Sequence, residues 1–212
     1  MSDQALNAMT VDVEDFFHVS AFESIIDPSQ WKEYQPRVDF NTRRLLGLFA
    51  KHNVTSTFFV LGWVAERYPE LITEIHRQGH EIASHGHSHR RATTQTRQEF
   101  FDDVKRSKEH LENLIGERVT GYRAPSFSIG YDNEWAFEVL AELDFGYSSS
   151  TYPVKHDLYG TPDWPRFAYK RKEGIIEILI IFFLYSSAAA DDPLRFVYGV
   201  RSFVAYKKYT VS

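Results

Sequence analysis

Segments with strand-like and helix-like patterns alternate along the chain. β-Branched and aromatic runs predict buried strands, and apolar side chains at helical spacing predict amphipathic helices. The predicted strands cover residues 8–13, 54–61, 81–84 and 120–123, and the predicted helices cover residues 41–52, 70–78, 96–115 and 135–143. Such alternation is typical of an α/β fold, in which a parallel sheet or barrel gathers functional groups at the carboxyl ends of its strands.

Composition and charge narrow the possible functions. A chain of 212 residues with 43% hydrophobic and 25% charged residues can form one well-packed globular domain. Its net charge of −5 and its lack of a basic cluster argue against binding to nucleic acid. Because the chain has no cysteine, any bound metal must be held by histidine, aspartate or glutamate.

No membrane segment is expected. The longest apolar run, residues 175–185, is interrupted by Glu177 and is shorter than the roughly 20 residues that span a bilayer. The N-terminus has neither the basic start nor the apolar stretch of a signal peptide, which favours a cytoplasmic location. The oligomeric state is not indicated by any feature of the sequence.

Histidine is concentrated in the run that follows the third predicted strand. Residues 84–89 read Ser-His-Gly-His-Ser-His, in a chain with 9 histidines. His85 and His89 are four residues apart, so a helical turn or a compact loop can direct both imidazoles to one metal ion. The alternative is a solvated polar loop without a function.

Acidic side chains lie at the end of the first predicted strand. Asp12, Glu14 and Asp15 lie within residues 10–15, and strand alternation directs Asp12 and Glu14 to the same side. One carboxylate can complete a site of two histidines and one carboxylate, while the other acts as general base toward water. The alternative is an ordinary acidic strand end beside a helix N-terminus.

An arginine ends the fourth predicted strand and precedes a proline that restricts the loop. Arg123 could pair with Asp12, and such a pair would orient the base and favour its charged form. A surface arginine without a partner is the alternative.

These three segments, residues 10–15, 84–89 and 122–125, resemble in order and spacing the motifs of the polysaccharide deacetylases, carbohydrate esterase family 4. Residues 15–23 and 58–66 further resemble the branch associated with exopolysaccharide loci of PEP-CTERM bacteria. The resemblance implies a distorted (β/α) barrel and a reaction that removes N-acetyl groups from the amino-sugar residues of a polysaccharide.

The resemblance also assigns roles to individual residues. It makes Asp12 the catalytic base, tethered by Arg123, and it makes His85 and His89 ligands of a divalent metal, usually zinc. Pro125, with Tyr122, would contact substrate in the groove. The family usually has two adjacent aspartates in its first motif. Val13 occupies the second position here, so Glu14 is the expected third ligand and Asp15 the alternative.

The C-terminal part departs from the family pattern. The family would supply a late strand whose histidine acts as general acid, but the last histidine of this chain is His156. We therefore predict a catalytic domain at residues 1–178 and an atypical segment at residues 179–212, with a barrel that is incomplete at the C-terminus and impaired activity. Two other functions stay open: an amide hydrolase acting on a small molecule, and a degenerate protein that binds carbohydrate without catalysis.

Overall fold

Helices pack against an eight-stranded sheet. The computed structural model describes residues 6–155, 160–179 and 203–206. The strands are β1 Leu6–Val13, β2 Ser56–Val60, β3 Glu81–Ser84, β4 Gly121–Tyr122, β5 Tyr147–Ser148, β6 Tyr169–Lys170, β7 Ile176–Glu177 and β8 Phe203–Tyr206. Their order is β6-β7-β5-β4-β3-β2-β1-β8. The predicted α/β class with a parallel sheet is confirmed.

The helices connect consecutive parallel strands. They are α1 Val38–His52, α2 Gly62–Arg67, α3 Pro69–Arg77, α4 Arg97–Ile115 and α5 Trp135–Glu142. Short 3₁₀-helical turns cover Phe16–His18, Ser20–Phe22, Pro28–Glu33, Ala92–Thr94, Pro125–Phe127 and Tyr131–Asn133. The long connection from β1 to α1, which carries three of these turns, lies next to the functional groups described below.

The register of the sheet aligns the ends of four strands. Val13 pairs with Val60, Val60 with Ser84 and Ser84 with Tyr122, all in parallel. Because parallel strands end at the same edge, the residues that follow β1, β3 and β4 lie close together. These are the acidic, histidine and arginine segments of the sequence.

Helix α4 illustrates how local sequence sets the boundaries of an element. The Thr96 hydroxyl accepts a hydrogen bond from the N–H of Glu99, and the Glu99 side chain accepts one from the N–H of Thr96, which forms a capping box. Gly116 ends the helix in the left-handed conformation with φ 72°. Phe100, Val104 and Leu111 are completely buried, so the predicted helix and its apolar stripe are confirmed.

Two strands run antiparallel at the edges of the sheet. β6 pairs with β7, and β8 pairs with β1 through residues that belong to the predicted atypical segment. Residues 180–202 and 207–212, most of that segment, lie outside the described residues. The boundary at residue 178 and the incomplete barrel therefore stay predictions.

Strand β7 carries a buried carboxyl group that is separate from the acidic motif. Glu177 Oε1 accepts hydrogen bonds from the N–H groups of Ser150 and Thr151 and from the Thr151 hydroxyl. Burial raises the pKa of Glu177, although these hydrogen bonds oppose the shift. A pKa that is higher in the folded than in the unfolded state stabilises the fold at low pH, and this contribution is lost as pH rises through the folded-state pKa.

We therefore expect Glu177→Gln, which replaces the carboxyl group with a permanently neutral amide, to gain stability relative to the native chain as pH rises from about 4 to about 8. Urea denaturation at a series of pH values measures this difference. Glu117→Gln is the control, because the Glu117 side chain is 70% exposed. A difference in stability that does not change with pH would contradict the prediction.

Candidate active site

A buried ion pair joins the ends of β1 and β4. Arg123 is completely buried, and its Nη1 donates a hydrogen bond of 2.5 Å to Asp12 Oδ1. The guanidinium also donates to Thr10 Oγ1 at 3.2 Å and to Ser149 Oγ at 3.1 Å. Its central carbon lies 3.9 Å from the centre of the Phe59 ring. The structure therefore brings Asp12 and Arg123 together in a fixed geometry.

The histidine run forms a compact loop after β3. His85 and His89 are both buried, with 2% and 8% exposure. Gly86 and His89 adopt left-handed backbone conformations, with φ 75° and 52°. This turns the chain back sharply, so that the two imidazole rings lie 5.3 Å apart between centroids. A compact loop, rather than a helical turn, produces the predicted convergence.

Glu14, which directly follows β1, lies beside this histidine pair. Its Oε2 lies 2.6 Å from His89 Nε2 and 3.9 Å from His85 Nε2. One ligand atom from each of the three residues falls within 4.8 Å of the others. Glu14, His85 and His89 are thus the predicted residues that the fold gathers around one point.

The tautomer of His85 is set by the backbone carbonyl group of Arg123. His85 Nδ1 lies 2.8 Å from the carbonyl oxygen of Arg123, which can only accept a hydrogen bond. Nδ1 therefore carries the proton, and Nε2 presents its lone pair on the side of Glu14. A backbone partner of this kind commonly orients a histidine that binds metal.

The electrostatics of the three residues are dominated by burial and by their mutual charges. Burial by itself would raise the pKa of Glu14, but the charges of His89 and His85 lower it to about 2. Burial lowers the pKa of His85. At His89 burial is outweighed by the charge of Glu14, and the pKa is raised. Glu14 is therefore ionised at neutral pH.

These residues fit a divalent metal ion. Glu14 Oε2 is completely buried and receives no hydrogen bond of acceptable geometry, although His89 Nε2 is close. Two imidazole nitrogens and one carboxylate oxygen form a donor set that zinc commonly takes in hydrolases, with a position left for water. An ion bound between the three groups would satisfy the buried oxygen and relieve the close contact.

Asp15, the alternative ligand, is occupied elsewhere. Its Oδ1 accepts the N–H of Phe16 at 3.0 Å, and its Oδ2 accepts the N–H groups of Arg37 and Val38 at 2.6 and 2.9 Å. Asp15 thus ties the β1–α1 connection to the first residues of α1. The geometry favours Glu14 over Asp15 as the third ligand.

The two carboxylates should therefore respond differently to substitution. We expect Asp15→Ala to lower the free energy of unfolding by about 2–4 kcal/mol, because three backbone N–H groups lose a charged acceptor. The folded variant should still bind one zinc ion per chain, whereas Glu14→Ala should not. Urea denaturation and zinc analysis after gel filtration check both expectations. Loss of zinc from folded Asp15→Ala, with zinc retained by Glu14→Ala, would reverse the assignment.

Tyr122 does not occupy the place predicted for it. Only 1% of its side chain is exposed, and its ring packs edge-on against Phe100 and Phe145 in the core. Successive side chains on a strand point to opposite faces, so Tyr122 faces the helices when Arg123 faces the site. The structure thus places Tyr122 in the core, and the substrate contact assigned to it stays a prediction.

Pro125 begins a tight turn beside the site. It is buried, and the two residues after it, Ser126 and Phe127, have φ of 54° and 51°. The Ser126 hydroxyl forms a hydrogen bond of 2.6 Å with that of Ser20, which joins this turn to the β1–α1 connection. The substrate contact assigned to Pro125 stays a prediction.

An aromatic wall beside the metal-binding group was not predicted from the sequence. The His18 ring lies 4.4 Å from Trp31, 4.8 Å from Trp63 and 6.5 Å from His89 between ring centroids. Its Nδ1 accepts the N–H of Asp15, and burial lowers the pKa of His18 to about 3. Trp31 and Trp63 come from segments that are distant in the sequence, and no local sequence pattern predicts that they contact each other.

Comparison with known proteins bears on the family and the fold of the chain. A family model described as polysaccharide deacetylase matches residues 33–147, more than half of the 212-residue chain. The chain belongs to the polysaccharide deacetylase family. A polysaccharide deacetylase structure from Mycobacterium smegmatis superposes with a TM-score of 0.65 at 26% identity, covering 88% of this chain and 64% of that one. The predicted fold of the deacetylase type is thereby confirmed.

Two curated relatives carry specific names. A peptidoglycan-N-acetylglucosamine deacetylase of Bacillus cereus is 32% identical over 105 residues, which is 49% of this deacetylase-family chain and 38% of that protein. A peptidoglycan deacetylase of Helicobacter pylori is 37% identical over 82 residues, which is 39% of this chain and 28% of that protein. The chain therefore spans less than half the length of either relative.

In the described part of this family member, no helix has both the length and the apolar character needed to cross a membrane. The cytoplasmic location stays a prediction.

Proposed function

We propose that the chain is a metal-dependent N-deacetylase of polysaccharides that contain amino sugars. The observation that carries the proposal is the position of two groups on one strand end: Asp12, paired with buried Arg123, and Glu14, which meets His85 and His89. A base and a metal-binding group thus lie two residues apart at the end of β1. This arrangement suits hydrolysis of an amide by water.

Glu14, His85 and His89 would hold the ion, and zinc is the ion that we propose for this donor set. A divalent ion held there supplies Lewis acidity, which activates water and polarises a carbonyl group. The buried ion pair keeps the Asp12 carboxylate at a fixed place beside these ligands.

The remaining chemistry belongs to Asp12. Its carboxylate accepts a proton from the water that attacks the acetyl carbonyl carbon, and Arg123 holds the carboxylate in the position to do so. The bond between the carbonyl carbon and the sugar nitrogen then breaks, which yields acetate and a free amine. Asp12 can return its proton to the leaving nitrogen, so that the proton balance closes without a second acid.

The substrate class follows from the relatives. Both curated relatives are named for deacetylation of peptidoglycan, which is a polymer of amino sugars. The resemblance of residues 15–23 and 58–66 to the exopolysaccharide-associated branch supports an exopolysaccharide as the substrate of this chain.

One observation favours a non-catalytic alternative. The resemblance to the family implies a late histidine that acts as general acid, and the last histidine of the sequence given is His156. General acid catalysis typically contributes about 10²- to 10⁴-fold to a rate. A chain without it could retain the metal and the groove and bind carbohydrate without turnover.

Acetate release from the acetylated substrates and ring opening of the cyclic amides, measured side by side, test these functions against one another. The zinc-loaded chain is incubated with acetylated chitooligosaccharide, with peptidoglycan fragments and with small cyclic amides, before and after metal removal by a chelator. The proposal expects zinc-dependent acetate release from the amino-sugar polymers. Hydrolysis of the cyclic amides alone would support a small-molecule amide hydrolase. Carbohydrate binding without acetate release would support the non-catalytic alternative.

A further inference from the structure

The turn between His85 and His89 is held in place from outside the sheet. Asp103, on α4, accepts the N–H of His87 at its Oδ2, at 2.8 Å, and the N–H of Ser88 at its Oδ1, at 3.1 Å. The Ser88 hydroxyl donates a further, short hydrogen bond to the same Oδ1. One carboxylate therefore binds three donors of the segment that separates the two metal-binding histidines.

The carbonyl groups of the same turn are held by a second helix. The N–H groups of Gly62 and Trp63, at the start of α2, donate to the carbonyl oxygens of Gly86 and His87 at 2.9 and 3.0 Å. The peptide groups between the two histidines thus bind α4 on their N–H side and α2 on their C=O side.

The backbone of this turn adopts left-handed conformations, which contacts with the surrounding residues must stabilise. Gly86 has φ 75° and His89 has φ 52°, and the second value is uncommon for a residue with a side chain. A Cβ atom at position 86 would lie 3.0 Å from Asp103 Oδ2, so the carboxylate also occupies the space beside the glycine. Such conformations persist when surrounding contacts determine them.

We propose that Asp103 is a positioning residue, which fixes the distance and orientation of His85 and His89 without touching either imidazole ring. The inference rests on the proposed function, because it assumes that these histidines bind the metal. Outer-shell groups of this kind typically change metal affinity by about 10- to 100-fold when they are replaced. The carboxylate acts through the backbone of residues 86–88, whereas the Arg123 carbonyl oxygen acts on the ring of His85.

The matched experiment compares two neighbouring aspartates of α4. Asp103→Asn removes one acceptor oxygen and places an N–H₂ group against backbone donors. Asp102→Asn changes an exposed residue that accepts a hydrogen bond from Gln98. Zinc affinity is measured on the full chain by competition with a chromophoric chelator, and the cobalt-loaded protein provides a visible absorption spectrum of the ligand geometry.

We expect Asp103→Asn to weaken zinc binding by about 10- to 100-fold and to alter the cobalt spectrum, while Asp102→Asn stays within about twofold of the native chain. Equal zinc affinities for the two variants would overturn the inference. A native chain that binds no zinc would overturn the proposed metal site itself. Failure of the metal site can therefore be distinguished from failure of the role of Asp103.

A milder substitution covers the case in which Asp103→Asn does not fold. Ser88→Ala removes the hydroxyl donor and keeps both backbone N–H groups bound to Asp103. We expect a smaller loss of zinc affinity in the same direction, with the melting temperature of the metal-free protein recorded in parallel. A lower melting temperature with native zinc affinity would indicate a purely structural role and would contradict the proposal.

Discussion

Asp12→Asn is expected to lower the rate of acetate release by about 10²- to 10⁴-fold while the chain keeps its zinc. Asparagine can still accept a hydrogen bond from Arg123, so the site keeps much of its geometry, but the amide oxygen cannot accept the proton from water. The ligands Glu14, His85 and His89 are unchanged. Steady-state acetate release and zinc content, measured on the same preparations, check both parts of the expectation.

Two comparisons make this result specific. Asp102→Asn applies the same chemical change at an exposed position on α4 and should leave acetate release unchanged. A purified Asp12→Asn chain that released acetate at the native rate would show that Asp12 is not the base. Loss of zinc from the variant would instead indicate that Asp12 supports the metal site.

Arg123→Met is expected to lower the free energy of unfolding by about 3–5 kcal/mol. The guanidinium is completely buried and bonds Asp12, Thr10 and Ser149, so its removal leaves the Asp12 carboxylate buried without its cation. Urea denaturation of the metal-free protein measures the effect. Arg118→Met is the control, because the Arg118–Asp144 pair has 70% and 80% exposed side chains and should contribute at most about 1 kcal/mol.

The double variant Asp12→Asn/Arg123→Met separates the ion pair from the other contacts of Arg123. If the carboxylate without a partner causes most of the loss, the double variant should be more stable than the sum of the two single effects predicts. Strictly additive effects would contradict the view that the buried pair is the source of the stability loss.

Much of the fold could be predicted from the sequence because its strands and helices carry strong local patterns. The buried strand at residues 56–60 is β-branched and aromatic, and α4 has a capping box and a terminal glycine. Helix α1 begins at Val38, ahead of the predicted residue 41, because Asp15 accepts the N–H groups of Arg37 and Val38. That boundary depends on a residue more than 20 positions away, which a local pattern cannot reveal.

Other elements depend on tertiary contacts in the same way. The short helix Gly62–Arg67 was not predicted, and its first N–H groups bind the carbonyl oxygens of the histidine loop. The pairing of β8 with β1 joins segments at opposite ends of the chain. Neither contact leaves a periodic signal in the sequence.

The site was predicted more completely than its surroundings. His85, His89 and Glu14 share one point because β1 and β3 end at the same edge, which follows from the parallel sheet. Tyr122 lies in the core, which strand alternation relative to Arg123 could have indicated. The same alternation could have identified Thr10, which lies on the face of Asp12 and bonds Arg123. The roles of Ser149 and Asp103 could not be predicted, because each residue contacts the site only through the tertiary structure.

Stepwise zinc addition to the metal-free chain, with acetate release from acetylated chitooligosaccharide measured at each step, tests the central claim most directly. The proposed function predicts a rate that rises with zinc and levels off at one equivalent per chain, and a Glu14→Ala variant that shows no such rise. A native rate that does not depend on zinc, or a Glu14→Ala variant that is activated like the native chain, would contradict it.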